Sequence, residues 1–273
     1  MKQPLEECSL SVMSFNLKRD GFLFGRNRWE QRRNLAASII KKSNASIIGV
    51  QEMLPSMRKD LAGLLPDYQI IGRARSKKDV SEHSDIICSD HTTQIIGSRT
   101  FWISKRPDKI GSRAFLAVFP RICTVAKIQL LPSNRMIRVC NTHFDHVSGI
   151  ARMLGIKMIL RYLNERNQID PLPTILMGDL NAKPNAKPIQ TLEKNTHGYP
   201  DIVLRNVFRD RPPEDYPLGT RHGFHGKAKR SPIDYIFVSK EFEVVRTEII
   251  RTHQEGRYPS DHYPILAVLR LKG

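Results

Sequence analysis

An α/β fold, in which two packed and mostly antiparallel sheets are flanked by helices, is what this sequence predicts. Three observations lead there. Apolar runs of strand length outnumber helical stretches, most neighbouring strands are joined by hairpins or short loops, and the few helices fall between strand groups. Sheets packed under helices bury such a pattern. No internal repeat or low-complexity linker divides the 273 residues, so a single domain over residues 1–273 is expected.

The elements follow in order. Leu10 to Asn16 reads as a first strand. Trp29 to Lys42 predicts a helix, because Leu35, Ala36, Ile39 and Ile40 share one stripe, and Asn27 is its candidate cap. Ser46 to Gln51 is a short apolar run of buried-strand type that ends at Glu52. Ser56 to Leu65 is a second helix, opened by Pro55 and closed before Pro66. The polar stretch Arg73 to Ser84 reads as a loop, and Asp85 to Ser89 and Gln94 to Ser104 as strands. Ala126, Ile128 and Leu130 alternate with Lys127 and Gln129. The segment Leu131-Pro132-Ser133-Asn134 then turns the chain into Ile137, Val139 and Asn141, an antiparallel pair. Gly149 to Asn164 has helical length. Thr174 to Met177, Ile233 to Ser239, Val244 to Arg251 and Ile265 to Leu271 complete the strands.

Composition excludes several classes. The chain is 40% hydrophobic and 26% charged, an ordinary globular balance. No run approaches the roughly 18 apolar residues of a membrane span. Pro4, Glu6 and Glu7 interrupt the first ten residues where an export signal needs an apolar core, so a cytoplasmic location is expected. Cys8, Cys88, Cys123 and Cys140 have no CxxC spacing, and free thiols in a reducing compartment are the simplest reading. Lys and Arg number 44 against 27 Asp and Glu, a net charge of +17. Eight bases and two acids lie between Phe101 and Ile150, yet no compact basic run exists. Such a field attracts polyanions without naming one.

The chemistry-bearing residues fall just outside apolar strands. Asn16 ends the first strand and Glu52 follows the second. Asn141-Thr142-His143-Phe144-Asp145-His146 closes the hairpin, and Gly178-Asp179-Leu180-Asn181 follows a buried run. Asp234 opens one strand, and Ser260-Asp261-His262 precedes the last. Singly each has an ordinary reading: Glu52 or Asp234 as a strand-end residue held by backbone amides, His143 as a core histidine, Gly178 to Asn181 as a turn. His222 and His225, beside Gly223 and Gly226, read as solvated loop residues. Together they suit one task. The hard oxygen ligands Asn16, Glu52 and Asp261 match Mg²⁺ or Mn²⁺, and histidines move protons or stabilise phosphate charge near neutral pH. Phosphoryl chemistry needs both.

The chain resembles the endonuclease/exonuclease/phosphatase superfamily. The segments that carry the resemblance are SFNL (14–17), VQE (50–52), TFWIS (100–104), PRICTVAKI (120–128), NTHFDH (141–146), GDLNAKP (178–184), SPIDYIFVS (231–239) and GRYPSDHYP (256–264), in the family's order. It looks most like a bacterial group of single-domain members, distantly similar to deadenylase-type nucleases. The resemblance implies a four-layer α-β-β-α sandwich of DNase I type, with metal-dependent phosphoester hydrolysis at one end. It implies that Asn16, Glu52 and Asp261 hold the metal and that His143 contacts the scissile phosphate. Asp179 and Asn181 match the pair that positions water and phosphate, Asp234 orients the last histidine, and His262 is general base or transition-state stabiliser. Two departures fall beside the expected cleft. Ser81-Glu82 stands where a glycine-glutamate pair is usual, and Ala114 to Ala117 where Trp and Asp are common.

A divalent-metal-dependent phosphoester hydrolase acting on DNA, RNA or a nucleotide is therefore expected. The alternatives are a phosphatase of a sugar phosphate, inositol phosphate or phospholipid headgroup, and a non-catalytic polyanion-binding module. No stable protein partner is implied.

Overall fold

The computed structural model describes residues 9–21, 25–78, 81–196, 198–209, 219–228 and 231–272. Cys8 and the first eight residues lie outside that set. One sheet contains β1 (Ser9–Asn16), β2 (Ile47–Gln51), β3 (Tyr68–Ile71), β4 (Ile86–Ser89), β11 (Phe242–Ile249) and β12 (Ile265–Leu271). The other contains β5 (Thr93–Trp102), β6 (Ile122–Leu130), β7 (Arg135–His143), β8 (Thr174–Asp179), β9 (Leu204–Asn206) and β10 (Asp234–Ser239). Their spatial orders are β11-β12-β1-β2-β4-β3 and β5-β6-β7-β8-β10-β9.

Each sheet is mixed, and the mixing builds the site. Most neighbours run antiparallel, including the β6–β7 hairpin that pairs Leu130 with Arg135. One central pair in each sheet is parallel: β1 with β2, placing Asn16 opposite Gln51, and β7 with β8, placing His143 opposite Asp179. Parallel neighbours end on the same sheet edge, so their carboxyl ends gather there, where ligand sites of α/β sheets form.

Three apolar clusters give the four layers. Val12, Ile47, Val139, Ile175 and Ile265 belong to the core between the sheets. Helices α1 (Trp29–Lys42) and α2 (Pro55–Leu64) pack Ile40 and Leu61 against Phe15 and Val50 of the first sheet. Helices α3 (Gly149–Asn167) and α4 (Lys187–Glu193) pack Ile156 and Leu192 against Cys140 and Leu176 of the second. Each such aliphatic side chain contributes roughly 1.5–3 kcal/mol when fully buried. One polar bridge crosses the inter-sheet core. Asn141 on β7 donates to the carbonyls of Val50 and Asp85, 2.9 and 2.8 Å away, and accepts from Gln51 at 2.7 Å. A misregistered sheet would leave these groups buried and unpaired, so the bridge fixes how the sheets align.

Several expectations need correction. Asn27 does not cap α1; it sits in a one-turn 3₁₀ helix, and Arg28 takes the cap position without a side-chain bond. The Asp20 carboxylate, nine residues before Trp29, accepts that residue's N–H at 2.9 Å instead. Strands β3 and β9 and helix α4 were not expected; they are four, three and seven residues long, too short for a periodicity to register. Cys88, Cys123 and Cys140 are buried free thiols, as expected. Among the described residues no helix is long and apolar enough to cross a membrane.

Gly178 is the tightest point on the sheet edge. Its φ is +143°, and an added Cβ would lie 1.9 Å from the carbonyl oxygen of Thr142 on the neighbouring strand. Gly178→Ala is expected to destabilise the protein by about 3 kcal/mol or more, because backbone cannot yield as a flexible side chain does. Urea unfolding checks this; a midpoint equal to that of the unsubstituted chain would contradict the close approach.

Candidate active site

All eight residues singled out from the sequence meet at that sheet edge. Asn16 leaves the end of β1 and donates its amide to Glu52 Oε1 at 3.1 Å and to Asp179 Oδ2 at 3.0 Å. Asp179 Oδ2 is the point of convergence, with His143 Nε2 at 3.6 Å and His262 Nε2 at 4.0 Å. Its other oxygen accepts the Asn181 N–H at 2.9 Å. Asn181 donates its side-chain amide to the Phe144 carbonyl and to His143 Nε2, both at 3.0 Å. That leaves the His143 ring proton on Nδ1. Asp234, paired across the ladder with Asp179, binds His262 Nδ1 at 2.9 Å.

Two further links lock the last loop against the first strand. Ser260 donates to the Asn16 carbonyl at 2.6 Å. Arg32, a buried guanidinium from α1, donates to the carbonyls of Leu17, Lys18 and Pro259. Neither link was legible in the sequence, because each joins segments more than 200 residues apart or points inward from a helix.

The histidines are driven in opposite directions. Burial pushes His143 well below its usual value, and the charges of Arg121 and Arg75 push it further, so the ring is neutral. Burial also opposes a charge on His262, but the Asp234 carboxylate, with Asp261 and Asp179, outweighs it and lifts the ring to about 10. Asp179 is raised to about 7, by burial first and by Asp234 second. A cationic imidazole beside a carboxylate poised near neutrality is an acid–base arrangement.

Cations the sequence did not single out line the same cleft of about 300 Å³: Lys18, Arg19, Arg75, Arg121 and Arg221. Arg75 grips Glu82 with two bonds of 2.7 and 2.9 Å, and Arg19 adds a third of 3.0 Å. Glu82 thus aligns two guanidiniums along one wall. Arg121 is almost fully buried beside His146, and its Nε has no hydrogen-bond partner among the described residues. His222 is not solvated as expected; its ring is buried against Tyr263, with centroids 4.0 Å apart. Burial pushes it down to about 4. His225 is exposed, as expected.

Two clusters present themselves for a metal. Asp179, Asp234 and His262 bring ligand atoms within 4.8 Å of one another. That trio mixes an imidazole with two carboxylates, a donor set that suits transition metals better than Mg²⁺. The second cluster offers hard oxygens. Lys18 Nζ lies 3.7 Å from Glu52 Oε2 and 3.6 Å from Asp261 Oδ2, an ammonium between two carboxylates. Buried Asp261 Oδ1 has no hydrogen-bond partner among the described residues. This donor set fits Mg²⁺ or Mn²⁺.

Comparison with known proteins agrees with the geometry. The family model described as Endonuclease/Exonuclease/phosphatase family matches residues 13–262. A solved endonuclease/exonuclease/phosphatase family protein from Bacteroides thetaiotaomicron is 28% identical, with a TM-score of 0.88 over 98% of this chain and 100% of that one. A mannosyl-6-phosphatase of Bacteroides thetaiotaomicron is 29% identical, with a TM-score of 0.83 over 95% of this chain and 99% of that one. The human nocturnin catalytic domain, solved with a sulfate anion, shares the fold at 16% identity, with a TM-score of 0.76 over 97% and 96%. No curated protein sequence matches the chain.

Proposed function

Since the chain belongs to the endonuclease/exonuclease/phosphatase family, we propose that it is a divalent-metal-dependent phosphoester hydrolase in which Asp179 takes the proton of water and cationic His262 stabilises the developing charge. The observation that carries this reading is the convergence of Asn16, His143 and His262 on Asp179 Oδ2 beside five cations.

Glu52, Asp261 and Asn16 would hold the metal; when bound, it supplies charge neutralisation at the phosphoryl oxygens. Asp179 Oδ2 takes the proton of the attacking water as the bond from phosphorus to the ester oxygen breaks, its basicity set close to neutral pH by burial and by Asp234, and the departing oxygen takes its proton from solvent. His262 keeps both ring protons. Its Nδ1–H stays on Asp234, and Nε2–H faces the charge that builds on phosphorus. Asn181 fixes both Asp179, through its backbone N–H, and neutral His143, through its side-chain amide, so the two groups stay aligned on the phosphate site. Arg121 and Arg75 bind the incoming phosphate by charge-assisted hydrogen bonds.

The overall charge of +17 favours a nucleotide or the end of a nucleic acid. A second reading, a sugar phosphate, is favoured by the likeness to the mannosyl-6-phosphatase. The test is phosphate or p-nitrophenol release by the purified chain with Mg²⁺ or Mn²⁺, from nitrophenyl esters, nucleotides, DNA, RNA and sugar phosphates. Turnover is expected to vanish with chelator and return with excess metal. Chelator-resistant turnover, or none on any ester, would overturn the assignment. Steep loss of affinity with salt marks a polynucleotide, and a shallow one a small ester.

A further inference from the structure

The surface beside the cleft carries a second feature that hydrolysis does not use. Phe115 is 70% exposed, Leu116 54%, Val147 62% and Ile150 55%, with Val118 and Phe119 also open to solvent. The two segments that carry them, the 113–119 loop and the start of α3, are tied together. The buried carboxylate of Asp145 accepts the N–H of Val118 at 3.0 Å through one oxygen, and those of Val147 and Ser148 at 3.0 and 2.8 Å through the other. It therefore clamps the 113–119 loop to the start of α3. On α3, Ile150, Leu154 and Met158 recur at four-residue spacing and so share one face. Phe115 closes over that face, and with Leu154, Met158 and Tyr162 lines a groove of about 490 Å³. Exposed Lys105, Lys157 and Arg161 stand on the groove's rim, and exposed Arg113 opens the loop; Glu165 is the one acid lining the groove.

A contiguous exposed apolar patch marks a contact surface. A mostly aliphatic patch with a basic collar is complementary to one class of partner, an interface apolar inside and negative at its face. We propose that the 113–119 loop and the first turns of α3 dock this protein on an anionic phospholipid bilayer. Phe115 and Leu116 of the loop and Ile150 of α3 insert below the headgroups, while Lys105, Arg113, Lys157 and Arg161 meet the lipid phosphates. Phe119, from the same loop, lines the catalytic cleft, so docking brings the cleft mouth to the membrane surface. The docking surface stands whether or not the hydrolase reading does.

The test is co-sedimentation of the full chain with vesicles of phosphatidylcholine, alone and with about a third phosphatidylglycerol. Binding is expected only to the anionic vesicles and should weaken as salt rises. A double variant, Phe115→Ser with Leu116→Asn, should lower vesicle partitioning about tenfold or more. Its metal-dependent turnover of a soluble nitrophenyl ester should stay unchanged, because neither residue touches the cleft; this separates failed docking from failed catalysis. The proposal is overturned if the unsubstituted chain ignores anionic vesicles, or if the double variant binds them equally well. It is also overturned if the substitutions dissociate a dimer seen by analytical ultracentrifugation, or weaken binding of single-stranded polynucleotide instead.

Discussion

Replacing His262 with alanine is expected to lower kcat about 10²–10⁴-fold, the range for a positioned group acting on transition-state charge. Asp234→Asn keeps the shape but leaves Nδ1 facing a neutral partner, so it should lose less. The double variant should lose less than the two single losses combined, because Asp234 acts chiefly through the ring and only secondarily by raising Asp179. Fully additive losses would mean that Asp234 does not act through the ring. The same pair has a signature in the metal-free protein. The ring is lifted from an ordinary value of 6.5 to about 10, so the native state holds a proton that the unfolded chain gives up sooner. Stability from the pair is therefore complete below about pH 6.5 and lost as pH climbs through about 10. Asp179, raised to about 7, titrates below the upper part of that window. With chelator present, the melting temperature should fall more steeply between about pH 7.5 and 10 in the unsubstituted chain than in Asp234→Asn. Parallel curves would sink the assignment of a cationic His262.

What the sequence revealed and what it hid divide along a physical line. Asn16, Glu52, His143, Asp179 and Asp234 were legible because each is polar at the end of a buried apolar run, where a strand delivers a side chain to a sheet edge. The cations were not. Lys18, Arg19, Arg75, Arg121 and Arg221 come from four separate segments, and only the fold brings them to one cleft. An arginine that turns inward, as Arg32 and Arg121 do, is indistinguishable in sequence from the many that face water. The burial of His222 is hidden from the sequence for a related reason. Flanking glycines suggest an open loop, while its burial is set by Tyr258 and Tyr263, more than 30 residues away. Asp20 displaced Asn27 as the cap of α1 because a folded loop can return a carboxylate from nine residues upstream.

Glu52 supports the second large effect, and its backbone makes the result more than a loss of activity. Glu52→Ala and Glu52→Gly should each reduce Mn²⁺ affinity at least about 100-fold, read from water-proton relaxation, and lower metal-dependent turnover about 10²–10⁴-fold. The two variants should differ in stability. Glu52 has φ of +57°, in the left-handed region where a Cβ costs roughly 1 kcal/mol and glycine is free of it. Glu52→Gly should therefore exceed Glu52→Ala by about 1 kcal/mol in urea unfolding, whereas at an ordinary strand end glycine is the weaker choice. Lys18 at +53° and Asn181 at +47° share the conformation, so three cleft residues at strand exits turn left-handed. The turn is what swings a carboxylate off the β2 axis toward Asn16 and the Arg19 N–H, 3.2 Å away. Strain retained at the residue expected to hold the ion is the pattern of a site kept for chemistry at the expense of stability. An alanine variant as stable as the glycine variant would remove that argument, and unchanged Mn²⁺ binding in both would remove Glu52 from the metal site.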